Sequence, residues 1–139
     1  PWNEFECGHH YARSMASYAL LLALSGFKCS APERRLGFTP KIYRKNFRCF
    51  FSSGSGWGLY KQRISQQRAT FTLELRYGSL PLSRWDIPLV GFMNPVVKVT
   101  LNRKKIKANI KREKRGFMVL LESTLLKPGQ VLKVSLRQE

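Results

Sequence analysis

Residues 70–77 read TFTLELRY, and this stretch decides how the second half of the chain folds. Its apolar side chains, Phe71, Leu73, Leu75 and Tyr77, alternate with polar ones. A two-residue repeat sends neighbouring side chains to opposite faces of an extended chain, so one face is buried and the other meets water. The stretch therefore predicts a half-buried β-strand with these four side chains on its buried face.

The same repeat recurs toward the C-terminus. Apolar residues alternate in four further segments, which are 97–101, 106–110, 117–121 and 132–136. Short connections separate them, and the last contains Pro128 and Gly129, which suit the two central positions of a type II turn. We expect a small antiparallel sheet or sandwich in this part of the chain.

Toward the N-terminus the repeat becomes helical. Tyr11, Met15, Tyr18 and Leu22 follow one another at steps of four, three and four, which places them on one face of a helix over residues 9–25. Alanine and leucine fill most of the other faces, as is typical of a helix buried among other elements. Gly26 is expected to end the helix, because glycine adopts the left-handed conformation without steric cost.

Residues 27–58 show little periodicity and contain many glycines and prolines, so we expect an irregular connector here. Its anchors are apolar side chains, namely Phe38, Ile42, Phe47, Phe50, Phe51 and Trp57. Phe50, Phe51 and Trp57 also offer a possible stacking platform for a sugar. An aromatic cluster beside glycines is more often local core, and we favour that interpretation.

The chain is strongly basic, with 25 Lys and Arg against 8 Asp and Glu and a net charge of +17. Residues 27–139 carry the excess, and within 98–115 nine cations accompany Glu113 alone. Such a run favours phosphates or an anionic membrane as partners. Many of these cations alternate with apolar residues, however, and no recognised nucleic-acid-binding motif is present. The solvated outer face of a sheet accounts for them better.

Cysteine and histidine usage predicts neither a disulfide framework nor a metal site. Cys7, Cys29 and Cys49 are odd in number and lack C-x-x-C spacing, and His9 and His10 have no third ligand beside them. No cofactor is indicated. The longest apolar run has seven residues, whereas a membrane-spanning helix needs about 20, so no transmembrane segment is expected. No targeting segment is visible, and the unpaired cysteines lean toward a reducing compartment such as the cytoplasm.

The first residues carry the most chemical information. Residues 1–17 read PWNEFECGHHYARSMAS, which places two carboxylates, two histidines and an arginine just before a helix that otherwise favours burial. Burying charge costs several kcal/mol, roughly, unless each charge is paired or bound by a ligand. The arrangement therefore predicts a polar pocket at the mouth of the helix.

Three separated motifs resemble one enzyme family. They are residues 1–17, Leu36-Gly37-Phe38-Thr39-Pro40-Lys41-Ile42, and Phe50-Phe51 with Gly56-Trp57-Gly58. In this order they resemble the end of the catalytic region of the non-lysosomal glucosylceramidases, glycoside hydrolase family 116. The resemblance covers about residues 1–62. It implies the last helices of an (α/α)6 barrel and a retaining β-glucosidase that acts on glucosylceramide or related β-glycosides.

The same resemblance implies a substrate-binding role for the N-terminal motif. Glu4 and Arg13 are similar to groups that hold glucose hydroxyls, and Glu6, His9 and His10 could support them. A carboxylate accepts hydrogen bonds and a guanidinium donates them in a fixed fork, which suits a polyol. The alternative for Arg13 is a structural salt bridge to Glu6. Neither a catalytic residue nor a metal ligand is assigned, because the family's two catalytic carboxylates lie upstream of these motifs.

We therefore expect an α+β chain that is a piece of a longer β-glucosidase-like hydrolase and is inactive alone. Residues 1–64 are expected to form the C-terminal helical segment of the (α/α)6 catalytic domain. Residues 65–139 are expected to form a β-rich accessory domain that packs on the barrel or contacts carbohydrate. The expected partners are a β-glucoside and the rest of the barrel. The alternative is a non-enzymatic basic module that binds nucleic acid or another acidic partner.

Overall fold

The computed structural model describes residues 8–88, 90–114 and 116–138, and for residues 8–15 it describes the backbone alone. Within this part of the chain, one helix precedes a series of strands. The helix is α1 (Gly8–Ser25). The strands are β1 (Lys28–Ser30), β2 (Arg35–Gly37), β3 (Asn46–Ser53), β4 (Gly56–Ile64), β5 (Arg68–Gly78), β6 (Leu80–Pro88), β7 (Val96–Leu101), β8 (Lys104–Lys105), β9 (Ala108–Glu113), β10 (Gly116–Leu126) and β11 (Val131–Arg137).

The strands form two sheets that enclose one core. Sheet A has the order β1-β2-β6-β10-β9, and sheet B has the order β3-β4-β5-β11-β7-β8. Only the β2–β6 pairing is parallel among the described strands. Aromatic rings join the inner faces: Phe38, just after β2, stacks on Tyr60 of β4 at 3.9 Å, and Tyr60 meets Trp85 of β6 edge-on at 6.5 Å. Each such buried side chain contributes about 1.5–3 kcal/mol to stability.

The strands with strict alternation are where the sequence predicted them. Residues 70–77, 97–101, 117–121 and 132–136 lie inside β5, β7, β10 and β11 respectively. The expected segment 106–110 begins two residues before β9. Gly129 has a φ of 81°, and the Gln130 amide donates to the Lys127 carbonyl at 3.0 Å. These two features confirm the type II turn.

The predicted α+β fold class is wrong, because the described chain is mostly β-strand and its first half is not a piece of an (α/α)6 barrel. Residues 28–64 form the four strands β1 to β4 instead of barrel helices or an irregular connector. The sequence concealed β3, because outward-facing Phe50 interrupts the apolar pattern set by buried Phe47, Cys49 and Phe51. Glycines concealed β4 at two of its buried positions. The expected domain boundary at residue 64 falls in the turn between β4 and β5, which pair along their length.

Helix α1 ends as expected but differs in its surroundings. Gly26 has a φ of 59°, and the Phe27 amide donates to the Leu22 carbonyl at 3.3 Å, which closes the last turn. The expectation of burial is not met within residues 16–24, whose apolar side chains lie exposed; Tyr18 is 79% accessible. The helix is tied to the sandwich at its end, where the Thr39 amide donates to the Ser25 carbonyl at 3.1 Å.

A β-bulge in the β4–β5 pair changes which side chains face outward. Trp57 pairs with Tyr77, whereas the next residue, Gly58, pairs with Leu75, so Arg76 is the extra residue on β5. The shift turns Tyr77 outward, although alternation with Leu75 predicted it on the buried face. The bulge needs glycine at position 58, because a Cβ there would overlap the backbone carbonyl oxygen of Glu74.

Candidate functional site

The site residues expected from the N-terminal motif are only partly described. Glu4 and Glu6 lie outside the described residues. His10 and Arg13 lie on α1, in the stretch where the backbone alone is described. Their proposed contacts with a sugar therefore stay predictions.

The aromatic residues considered as a stacking platform divide between the core and the surface. Phe51 is buried at 2% exposure, as the core interpretation predicted. Phe50 and Trp57 are 46% and 42% exposed, against that interpretation, and Tyr77 joins them at 66%. We call Phe50, Trp57 and Tyr77 the aromatic patch. Sequence reasoning missed Tyr77, because the bulge that turns it outward leaves no local signal in β5.

The aromatic patch is continuous and lies on the outer face of sheet B. The ring centroids of Phe50 and Trp57 are 5.9 Å apart. Those of Trp57 and Tyr77 are 6.3 Å apart, with an angle of 20° between the ring planes. Three adjoining rings left in water are unfavourable for an isolated domain, and such an apolar patch is typical of a binding surface. The face of a ring is also electronegative, which favours contact with polarised C–H groups.

One carboxylate beside the patch forms ion pairs with two cations. Glu74 lies on β5 and forms ion pairs with Lys61 at 3.2 Å and with Arg76 at 2.8 Å. These two cations belong to the strands that carry Trp57 and Tyr77. Because they are paired, the rim of the patch offers polar groups for hydrogen bonding without a large excess of charge.

The rest of the outer face of sheet B is basic. We call its exposed cations the basic rows, and they are Arg48, Arg63, Arg68, Lys98, Lys133 and Arg137. Strand pairing aligns them across the sheet with hydroxyl side chains between them: Thr70 lies opposite both Arg63 and Ser135. Within the described residues, no carboxylate lies within ion-pair distance of these six cations. Their repulsion lowers the stability of the fold and suits an anionic ligand.

A shallow depression ends the basic rows between β4 and β5. It has a volume of about 250 Å³. Its lining consists of Lys45, Asn46, Arg63, Ile64, Ser65, Arg68 and Thr70. Three of these residues are cations and three others offer hydroxyl or amide groups. The depression therefore suits a small anionic group that also accepts hydrogen bonds.

The basic run 98–115 does not form one surface. It passes from β7 through β8, at one edge of sheet B, to β9, at one edge of sheet A. Of its residues, Lys98 is the one that lies in the basic rows. Lysines along sheet edges hinder pairing with another chain. Most of the basic rows come instead from β3, β4, β5 and β11.

The outer face of sheet A differs, because the charges around Asp86 are paired. Asp86 accepts hydrogen bonds from Nε of Arg35 and from Nε of Arg84, each at 2.7 Å. Glu33 lies 3.6 Å from Arg35, and Glu113 lies 3.5 Å from Arg84. The hydrogen bond to Asp86 raises the pKa of Arg35. This network fastens parallel strand β2 to β6, and it leaves little charge for a ligand.

The described residues contain no free pair of carboxylates. Each of the acids among them forms an ion pair, namely Glu33, Glu74, Asp86, Glu113 and Glu122. A retaining glycosidase needs two carboxyl groups about 5–5.5 Å apart across the scissile bond. Each of these acids is instead held by an arginine or a lysine, and Glu33, Asp86 and Glu113 share the arginines Arg35 and Arg84.

The two described thiols, Cys29 and Cys49, are poor nucleophiles as well. Burial raises the pKa of the Cys49 thiol to about 12. Partial burial also raises the pKa of Cys29. The thiolate is the reactive form of cysteine, and a raised pKa makes it scarce near neutral pH.

Comparison with known proteins adds no relative. No cluster of three metal-binding side chains occurs in the described stretches. The described helix is not long and apolar enough to cross a bilayer. No family model and no curated protein matches this chain.

Proposed function

We propose that this chain is the sugar-binding C-terminal part of a β-glucosidase-like glycoside hydrolase and does not itself contain the catalytic carboxylates. The aromatic patch is the observation that carries the proposal. The resemblance of residues 1–17 supplies the class of enzyme, since the other two motifs lie in the β-sandwich instead of in barrel helices. The described acids, all of which are paired, support the expectation that the chain alone has no turnover.

The patch suits the ring of a β-linked glucose. In such a ring all the hydroxyl groups are equatorial, so the C–H groups on each face form an apolar surface. That surface can lie on the ring of Trp57, with Phe50 and Tyr77 on either side, and the electronegative ring faces attract its C–H groups. Lys61, Glu74 and Arg76 at the rim can donate to or accept from the outward hydroxyls. Binding sites of this kind combine apolar area with a few polar groups.

The N-terminal motif would contribute a second sugar contact in the complete enzyme. Glu4 and Arg13 would hold glucose hydroxyls, with Glu6 and His10 in support, as the resemblance implies. The exposed apolar side chains of α1 support docking of this helix on the rest of the catalytic domain, since a free-standing apolar helix is unfavourable in water.

A second candidate function is a non-enzymatic basic module that binds nucleic acid. The unpaired cations of the basic rows favour it, because phosphate neutralisation releases counterions. Stacking of single-stranded bases on aromatic rings would be compatible with the patch. Glu74 weakens this candidate, because its carboxylate offsets one of the two positive charges of Lys61 and Arg76 where stacked bases would bring their phosphates.

The test is titration of the chain with cellohexaose, a β-linked glucose oligomer, followed by NMR at the Trp57 indole. We expect binding, and we expect Trp57→Ala to weaken it by about tenfold or more, because a stacked aromatic contributes about 1.5 kcal/mol. Tyr43→Asn is the matched control: Tyr43 is 78% exposed and precedes the end of β3 that pairs with Arg63, away from Trp57, and asparagine tolerates its φ of 46°.

Two results would contradict the proposal. One is an unperturbed Trp57 indole at saturating cellohexaose, and the other is equal weakening by Tyr43→Asn. Hydrolysis of an aryl β-glucoside by the purified chain should be undetectable. Turnover that depends on described residues would overturn the assignment of the catalytic carboxylates to other segments.

A further inference from the structure

The outer face of sheet B offers a path from the aromatic patch to the basic depression. Trp57, Leu59, Lys61 and Arg63 alternate along β4 on this face. We propose that the ligand is an acidic oligosaccharide, with a neutral sugar on Trp57 and a carboxylate or sulfate held by Arg63 and Arg68. The proposal rests on the proposed sugar-binding function and specifies its substrate class.

The length of the path requires more than one sugar. Arg63 is the sixth residue after Trp57, and a strand rises by about 3.3–3.4 Å per residue. The two ends of the path therefore lie roughly 20 Å apart. A single pyranose on Trp57 cannot reach the depression. An oligosaccharide that follows β4 can, and it would pass Lys61 on the way.

The chemistry of the far end selects an anion. Arg63 and Arg68 line the depression together with Lys45, and no described carboxylate neutralises them. A guanidinium binds a carboxylate or sulfate through two parallel hydrogen bonds. Thr70 adds a hydroxyl group that can bond the neighbouring sugar, whereas the Ser65 hydroxyl already donates to the Arg68 carbonyl at 3.0 Å.

The distribution of charge favours an acidic saccharide over a nucleic acid. A nucleic acid carries a phosphate at every nucleotide, including those next to a stacked base. Beside the patch, Glu74 offsets one of the two charges of Lys61 and Arg76, which leaves +1, whereas Lys45, Arg63 and Arg68 give +3 at the depression. An oligosaccharide can instead place an uncharged sugar at the patch and its acidic sugar at the depression.

The experiment compares three probes: a hyaluronan oligosaccharide, which alternates uronate with a neutral amino sugar, neutral cellohexaose, and oligothymidylate. At low salt we expect hyaluronan to bind about tenfold more tightly than cellohexaose, and Trp57→Ala to weaken both. The advantage should vanish when ionic strength rises from ~0.1 M to ~1 M, because the Debye length falls from about 10 Å to about 3 Å.

The double variant Arg63→Gln/Arg68→Gln should remove the advantage of hyaluronan over cellohexaose. Lys111→Gln/Lys114→Gln is the matched control, since it makes the same change in net charge at exposed residues of the β9 edge. We expect it to retain the advantage. Equal loss in both double variants would mean that only overall charge matters, and it would overturn the inference.

The remaining outcomes separate the two proposals. Trp57-dependent binding of cellohexaose without any preference for hyaluronan would leave the proposed function standing and overturn the acidic ligand. Binding of hyaluronan that does not depend on Trp57, without binding of cellohexaose, would overturn both. Tighter binding of oligothymidylate than of hyaluronan would assign the face to nucleic acid.

Discussion

The two outer faces of the sandwich differ in how their charged side chains are paired. On sheet A, Asp86 joins Arg35 and Arg84, and further acids flank both arginines. On sheet B, six cations have no acid among the described residues, and three aromatic rings lie beside them. Both faces belong to one fold with one core, so stability alone does not require the difference. The cations of sheet B cost stability through mutual repulsion, which points to a ligand that offsets it.

Gly58→Ala is expected to have the largest effect on the difference between the two faces. A Cβ at this position would overlap the Glu74 carbonyl, so β4 and β5 must separate at the bulge. We expect a loss of about 3 kcal/mol or more in the free energy of unfolding, together with loss of the aromatic patch. Urea denaturation measures the first effect and cellohexaose titration the second.

Gly54→Ala is the control, because a Cβ there has no neighbour within 4 Å. We expect its stability to change by less than about 0.5 kcal/mol. In Gly58→Ala, the backbone amides of sheet A should stay better protected from hydrogen exchange than those of β4 and β5. Unchanged stability in Gly58→Ala would mean that the bulge does not hold the face of sheet B.

The core between the two faces should give the next largest effect, through pH. The pKa of Cys49 is raised to about 12 in the fold, whereas an unfolded thiol has a pKa of about 8.5. The folded state therefore binds the proton more tightly. The stabilisation is complete below the unfolded pKa and is lost as pH rises toward the folded pKa, with a slope approaching about 1.4 kcal/mol per pH unit.

Urea denaturation between pH 8 and pH 10 measures this slope. Cys49→Ala should make it clearly shallower, while Cys29→Ala should make it shallower by less, because the Cys29 thiol is exposed and its pKa is raised less. Burial also raises the pKa of Tyr60 well above its usual value, so the Tyr60 hydroxyl adds to the slope at higher pH. A slope that does not depend on Cys49 would contradict the prediction.

Strict alternation is what made parts of both faces predictable from the sequence. In β5, Phe71, Leu73 and Leu75 face the core at the expected positions, and the turn at Gly129 follows from its Pro-Gly pair. Strand β6 was missed, because the amides of Ser83 and Arg84 both donate to the carbonyl of Arg34, which shifts the alternation within the strand.

The candidate site was the hardest part to predict, for a physical reason. Binding side chains break the rule that apolar residues face the core, so Phe50 and Trp57 disrupted the pattern that would have revealed β3 and β4. One signal was present in the sequence: Phe50 is out of phase with Phe47, Cys49 and Phe51. Tyr77 gave no such signal, since its position depends on a bulge set by long-range pairing.

The ion pairs of the two faces should differ in strength. Arg35 and Arg84 are 31% and 27% exposed, whereas Lys61 and Arg76, around Glu74, are 40% and 49% exposed. Asp86→Asn should therefore cost about 1 kcal/mol, and Glu74→Gln about half of that, because water screens the second set more. Thermal unfolding at low salt measures both. An equal loss would remove this energetic distinction between the faces.

The smallest effect is the sharpest test of why sheet B lacks acids. Lys133 lies diagonally from Lys98 in the basic rows, so Lys133→Glu should relieve repulsion and stabilise the fold by up to about 0.5 kcal/mol while weakening hyaluronan binding. Lys107 pairs with Glu122 at 3.1 Å, so Lys107→Glu changes the net charge equally but should destabilise slightly and leave binding unchanged. Opposite signs in denaturant midpoints would show that sheet B retains repulsion for the sake of a ligand. If Lys133→Glu were destabilising instead, the Lys133 cation would stabilise the fold, and the lack of acids on sheet B would not indicate a ligand.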